Sequence, residues 1–188
     1  MEASRLRYGN GLRAWMVAAL LVSASLSAQE NAPAAEPRGV DLKRGPLFEV
    51  TPHTGMMGGS GLFGLKLGMT YGSVSIEASG EQVIGQTANL YPLFVNLGFN
   101  LSTNGRLLPY GLVGGGLLLT VPTNALGAET VSAMGLNVGG GARFFITERF
   151  GFRLEVKQFV TSVTGGLTGQ EELLMYQEIG LGATFLFN

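Results

Sequence analysis

Cysteine is absent from this chain, which excludes disulfides and thiolate metal sites together. Histidine and aspartate occur once each, as His53 and Asp41, so acid–base chemistry has few carriers. Charged residues make up only 13% of the chain, against about 25% in an ordinary soluble domain. The formal net charge of −1 gives no electrostatic reason to bind nucleic acid. No apolar run approaches the roughly 20 residues of a membrane-spanning helix. Glycine, by contrast, is plentiful, with 30 in 188 residues where about 7% is usual. These glycines stand inside apolar segments such as Gly111–Thr120 and Gly135–Phe145, which argues against a linker. The length suits one domain.

The first residues read as an address. Arg5, Arg7 and Arg13 precede the apolar stretch Ala14–Ala28, which ends in small residues. This is the pattern of a secretory signal peptide, with cleavage expected after Ser27 or Ala28 and residues 1–28 removed. Residues 29–45 are polar, carry two prolines and read as a flexible lead-in. An exported membrane protein without a spanning helix must be a closed barrel, because lipid satisfies no backbone hydrogen bond. Residues 46–188 are expected to form it.

Period-two segments punctuated by turn residues support this. Eight strands are expected, near Pro46–Thr54, Gly61–Gly72, Val74–Gln82, Leu90–Ser102, Leu107–Val121, Ser132–Thr147, Gly151–Thr164 and Leu173–Asn188. The fifth is apolar or glycine on both faces, which leaves its phase open. Most reach the roughly 9–11 residues of a tilted transmembrane strand. Short connections are expected at Gly72–Ser73, Thr103–Arg106 and Glu148–Phe150. Longer ones are expected at Glu81–Asn89, Pro122–Val131 and Gly165–Glu172, with a short one at Gly55–Ser60. Short turns at one end and longer loops at the other fit an outer-membrane barrel. Aromatic girdles would place Tyr71, Tyr110, Phe150, Phe152 and Phe187 at the inner rim, and Tyr91 and Tyr176 at the outer.

In the seventh segment Phe152, Leu154 and Val156 alternate with Arg153, Glu155 and Lys157. A soluble, lipocalin-like barrel would turn the greasy face inward and leave many glycines facing solvent. A membrane barrel inverts this, because a mid-depth Arg or Lys facing lipid costs about 2–4 kcal/mol. The interior would then hold Glu49, Lys66, Glu77, Arg143, Arg153, Glu155, Lys157 and Glu178. Their signs balance, so they can pair. Gly64, Gly68, Gly98, Gly139, Gly141, Gly180 and Gly182 would leave them room. Eight strands enclose just enough space for side chains to fill, so a polar, plugged interior is expected. The fold expected is all-β, an eight-stranded antiparallel up-and-down transmembrane β-barrel.

The closing stretch Tyr176–Asn188, "YQEIGLGATFLFN", resembles the C-terminal strand of bacterial outer-membrane proteins. Its apolar places Ile179, Leu181, Phe185 and Phe187 alternate, with Phe187 one place before the final Asn188. "GGGARFFITERFGFRLEVKQF" (Gly139–Phe159) resembles a strand–turn–strand of small OmpA/OmpX-like outer-membrane barrels. The resemblance implies recognition of the last strand by the barrel assembly machinery, residence in outer-membrane lipid including lipopolysaccharide, and no cofactor. Some barrels of this size modify lipid A with a His–Ser–acid set. Here His53 has no Ser partner in sequence, and Ser132 and Ser162 lie far from it. His53 reads as an interior or strand-end polar residue, and no metal-ligand spacing stands out. The expected role is a structural or surface-interaction barrel without catalysis. The alternatives are a small-solute channel, a soluble periplasmic binding barrel and a lipid A-modifying enzyme.

Overall fold

The computed structural model describes residues 39–122, 130–164 and 171–188, and only the backbone of residues 163, 164, 171 and 172. The expected signal over residues 1–28 lies outside them, as do residues 29–38 of the lead-in. Eight long strands follow: β1 (Leu47–Met57), β2 (Ser60–Tyr71), β3 (Val74–Ile84), β4 (Ala88–Asn100), β5 (Leu107–Pro122), β6 (Val131–Phe145), β7 (Phe150–Thr164) and β8 (Glu171–Phe187). Each pairs antiparallel with its neighbour in sequence. β8 returns to β1, with Gly182 opposite His53 and Phe187 opposite Phe48, and this closes the barrel. Closure leaves no strand edge unpaired, which is the condition for crossing lipid with strands.

The outer face is apolar. Leu65, Leu67, Leu93, Val95, Leu97, Leu154, Ile179 and Leu181 are all exposed on it. Phe152 and Leu154 point out, while Arg153, Glu155 and Lys157 are buried inside. A water-soluble barrel with its greasy face inward is therefore excluded. In β5 the phase that sequence left open is set by Leu108, Tyr110, Leu112 and Leu118, which are buried, while Val113 and Leu117 face out.

Tight turns shape the two ends. Gly58 and Gly59 join β1 to β2 with φ of 58° and 89°, the left-handed pair that a two-residue hairpin turn requires. Only Gly85–Thr87 separate β3 from β4. The longer loop expected at Glu81–Asn89 is thus mostly strand, and the one at Gly55–Ser60 shrinks to two residues. The loops expected near 122–131 and 165–172 lie largely outside the described residues. At the opposite end, which carries both Leu47 and Phe187, Gly72 takes φ of 57° in a two-residue turn. Thr147 Oγ1 there accepts hydrogen bonds from the backbone N–H groups of Arg149 and Phe150.

Before β1 the chain is pinned to this terminal end. Val40 and Asp41 pair with Gly105 and Asn104. Leu42 donates its N–H to the Thr103 carbonyl, and its own carbonyl accepts from Gly72. Val40 and Leu42 pack inside the mouth against Leu47, Leu108, Phe145 and Leu186. Val40 and Leu42, within the expected flexible lead-in, thus form an apolar cap. A second apolar cluster, Met57, Leu62, Val83, Phe94 and Phe159, fills the interior near the loop end, with Leu90 and Tyr176 against it. Phe94 and Phe159 meet edge to face at 5.0 Å. The interior is therefore charged between two largely apolar ends. The girdle expectation also changes, since Tyr110 is buried inside and Tyr176 packs on the inner cluster. Tyr71, Phe152 and Phe187 do face out.

If the outer face is lipid-solvated, Val95→Arg, at mid-strand in β4, should lower folding free energy in lipid vesicles by about 2–4 kcal/mol. Urea unfolding followed by tryptophan-independent gel mobility would measure it.

Candidate functional site

The site is the charged layer between the two apolar clusters. Its construction follows from register. Arg143, Arg153, Gly182, His53, Gly64 and Glu81 stand side by side across β6, β7, β8, β1, β2 and β3. Tyr110, Gly141, Glu155, Gly180 and Gly55 form a parallel row. Glu49, Gly68, Glu77, Asn96, Gly114 and Asn137 form another. Long side chains alternate with glycines, so each long chain has empty space beside it. Gly64 shows the constraint. A β-carbon there would sit 2.6 Å from the Gly80 carbonyl oxygen and 2.8 Å from the His53 ring.

Arg153 is the hub. Its guanidinium meets Glu49 at 3.0 Å and contacts Glu77 and Glu155 directly. The neighbouring Arg143 reaches Glu49 at 3.3 Å and donates to Asn100 Oδ1 at 2.7 Å. Two arginines sit next to each other on adjacent strands, and Tyr110 lies against both, its ring centroid 4.5 Å and 4.8 Å from their guanidinium carbons. Such contacts favour Arg in a desolvated place. The Tyr110 hydroxyl donates to Glu155 at 2.6 Å and accepts from Arg153 Nε at 2.6 Å. Lys66 bonds to Glu155. Lys157 contacts Glu81 at 2.8 Å and Glu178 at 3.0 Å. Thr51 donates to Glu49 and shares a hydrogen bond with Thr184.

All eight residues read from sequence as interior charges lie in this layer, each buried. Reading by strand missed Glu81, which "SGEQ" (Ser79–Gln82) made look like the start of a loop. The signal was present, because Ser75, Glu77, Ser79, Glu81 and Val83 keep one period-two face. Tyr110 and Asn137 were also missed; they are buried in the same layer, as are Asn96 and Asn100. His53 is interior and lies 3.3 Å from Glu81. Ser132 and Ser162 face outward, across the barrel wall from His53, so neither joins it in a nucleophile–base pair. A small void of about 10 Å³ lies among Glu77, Asn96, Tyr110, Arg143 and Arg153, room for one water at most.

The four residues of the C-terminal motif, Ile179, Leu181, Phe185 and Phe187, share the exposed face of β8. Phe150 stacks near Phe152 and Phe185, at 5.4 Å and 5.2 Å.

Removing one partner from a buried ion cluster costs about 3–5 kcal/mol, because the charges left behind are unpaired. Arg153→Ala takes a partner from Glu49 and Glu155 and leaves Glu77 with no cation among the described residues, and should lose at least that much. Glu155→Gln, which keeps the shape and the Tyr110 contact, should lose less. The temperature at which the compact band on a semi-native gel converts to the unfolded one would rank them. Equal effects would remove Arg153 from its place as hub.

Comparison with known proteins places these features in context. The family model described as "Outer membrane protein beta-barrel domain" matches residues 16–187. The N-terminal β-barrel domain of Pseudomonas aeruginosa OprF is similar in structure, with a TM-score of 0.54 and 21% identity over 75% of this chain and 97% of that one. Neisserial surface protein A (NspA) is similar at a TM-score of 0.52 and 14% identity, over 76% of this chain and 96% of that one. At these identities the likeness is one of fold. A comparison with curated proteins finds no match.

Proposed function

Because the chain belongs to the outer membrane protein beta-barrel family and resides in the outer membrane, we propose that it is a closed, non-enzymatic barrel of the cell envelope with a structural or surface-interaction role. The observation that supports this most is the layered interior. An apolar cap, an ion network and a second apolar cluster lie in series along the axis. A solute would have to displace all three. A continuous wet path would need polar walls at both mouths, and the largest buried side chains there are Leu47, Leu108 and Phe145 at one end and Met57, Leu62 and Phe94 at the other, with Thr70 and Thr161 the small polar ones among them.

In this reading the barrel's partners are outer-membrane lipid, including lipopolysaccharide on the outer leaflet, and the assembly machinery that receives β8 through Ile179, Leu181, Phe185 and Phe187. The short-turn end faces the periplasm, as in outer-membrane barrels generally. Contact with other molecules would fall to the connections β5–β6 and β7–β8, since the other two at that end are tight turns of two and three residues.

The small-solute channel is the reading to test against. Purified protein in planar bilayers should give no discrete conductance steps. Reproducible steps whose size changes in Arg153→Ala or Glu155→Ala would replace the closed-barrel reading with a channel.

A further inference from the structure

Toward the loop end of the charged layer, His53 of β1, Glu81 of β3 and Glu178 of β8 each bring a ligand atom within 4.8 Å of the others. Glycines let them meet. His53 stands beside Gly64, and Gly64 beside Glu81, so no side chain separates imidazole from carboxylate. On its other side His53 stands beside Gly182. Glu178 lies back over Gly180: its Oε1 is 3.5 Å, and His53 Cδ2 3.9 Å, from where a β-carbon on residue 180 would be. The three are buried, with 7%, 4% and 0% exposure.

Lys157 is the cation already in contact, but it engages only half of what is offered. It meets Oε1 of Glu81 and Oε2 of Glu178. Among the described residues the opposite oxygens, Glu81 Oε2 and Glu178 Oε1, have no hydrogen-bond partner; the His53 nitrogens make no hydrogen bond either, although Nε2 lies 3.3 Å from Glu81 Oε1, the oxygen Lys157 also meets. Buried polar atoms are normally satisfied, and leaving one bare costs about 1–3 kcal/mol. Arg153 shows that this interior can satisfy its charges fully. The free atoms gathered here therefore point to something missing, and what is missing is an acceptor of lone pairs.

We infer that His53, Glu81 and Glu178 form a binding site for one first-row divalent cation of the Zn²⁺ type. One imidazole nitrogen and two carboxylate oxygens are its ordinary ligand chemistry, with a fourth position for water. Imidazole in the set disfavours Ca²⁺ and Mg²⁺, which take oxygen ligands. Lys157 meets one oxygen of each carboxylate and so orients both groups, the usual part of an outer-shell partner. Five buried carboxylates face four buried Lys and Arg side chains in the described interior, so the layer has negative charge to spare. Leu62 and Val83 lie one inward place beyond Gly64 and Glu81, and Met57 stands beside Glu178, two inward places beyond His53. They would slow entry from outside, so the ion is taken up as the barrel folds.

The full chain, expressed without a polyhistidine tag and purified from outer membranes, would be unfolded and refolded in detergent with Zn²⁺ or with EDTA. After exhaustive dialysis the metal would be counted by mass spectrometry. One equivalent of Zn²⁺ per barrel is expected, together with a higher unfolding temperature than the EDTA sample. His53→Gln and Glu178→Gln should each weaken binding by more than the roughly 10–100-fold that outer-shell changes alone produce. Glu77→Gln, which alters an acid of the same interior outside the triad, should retain the ion. Should the triad variants fail to fold, Co²⁺ substituted into the wild-type protein gives a separate readout, an intense visible spectrum of low coordination number. The proposal is overturned by no retained metal, by retention undiminished in folded His53→Gln, or by a Co²⁺ spectrum like that of the hydrated ion. Stabilisation by acid without metal uptake would also overturn it, and would assign the free atoms to a proton.

Discussion

Lipid offers a backbone no hydrogen bonds, and this constraint decides most of the molecule. It requires β8 to find β1, so that Gly182 meets His53 and Phe187 meets Phe48. Once closed, eight strands fix the bore, and the bore is about the size of the side chains that point into it. The period of two then leaves each residue one of two places, lipid or interior. A charge has no real choice between them. The fold thus sorts its residues by solvation, with polarity inverted from a soluble barrel.

Putting charges inside creates a second requirement. An ion taken from water must be met by others at close range, or the barrel is destabilised. Long side chains need space to reach one another, and a narrow bore has little. The glycine rows resolve the conflict. Gly68 stands between Glu49 and Glu77, and Gly182 between Arg153 and His53. Arg153 can therefore touch Glu49, Glu77 and Glu155 from one position. The high glycine content is in this sense the complement of the charge network, since each glycine gives up a side chain so that a longer one can cross the space.

The alternation was legible wherever a charge or a polar residue marked one face. Arg153, Glu155 and Lys157 against Phe152, Leu154 and Val156 gave both the strand and its orientation. The phase of β5 was not legible, because Leu and Gly occupy both of its faces; packing of Tyr110 and Leu112 against the interior decides it. The caps were equally hidden. Met57, Leu62 and Phe94 are as apolar as the lipid-facing residues beside them, and hydropathy cannot separate a side chain dissolved in lipid from one sealing a mouth. Glu81 was missed for another reason. Its neighbours Gly80 and Gln82 resemble a turn, yet pairing of β3 with β2 carries the strand on to Ile84. The meeting of His53, Glu81 and Glu178 depends on strands distant in sequence and on Gly64 between two of them, so no linear spacing announces it.

The apolar caps and the ion network depend on each other. In the closed-barrel reading the caps keep bulk water from both mouths, and the charges then lie in a medium where each pair attracts more strongly. The same medium makes any unpaired charge more costly. A wet interior would tolerate five carboxylates against four Lys and Arg side chains by solvating the extra one. A capped interior gives it no such outlet. The surplus has to be neutralised by a proton or a cation, and it must happen where acceptor atoms remain free. Around Arg153 they are taken up by the guanidinium, Lys66 and Tyr110. At His53, Glu81 and Glu178 they converge unused. The location of that site is thus a consequence of the caps as much as of its three residues: open either mouth to water, and the need for an ion there falls away.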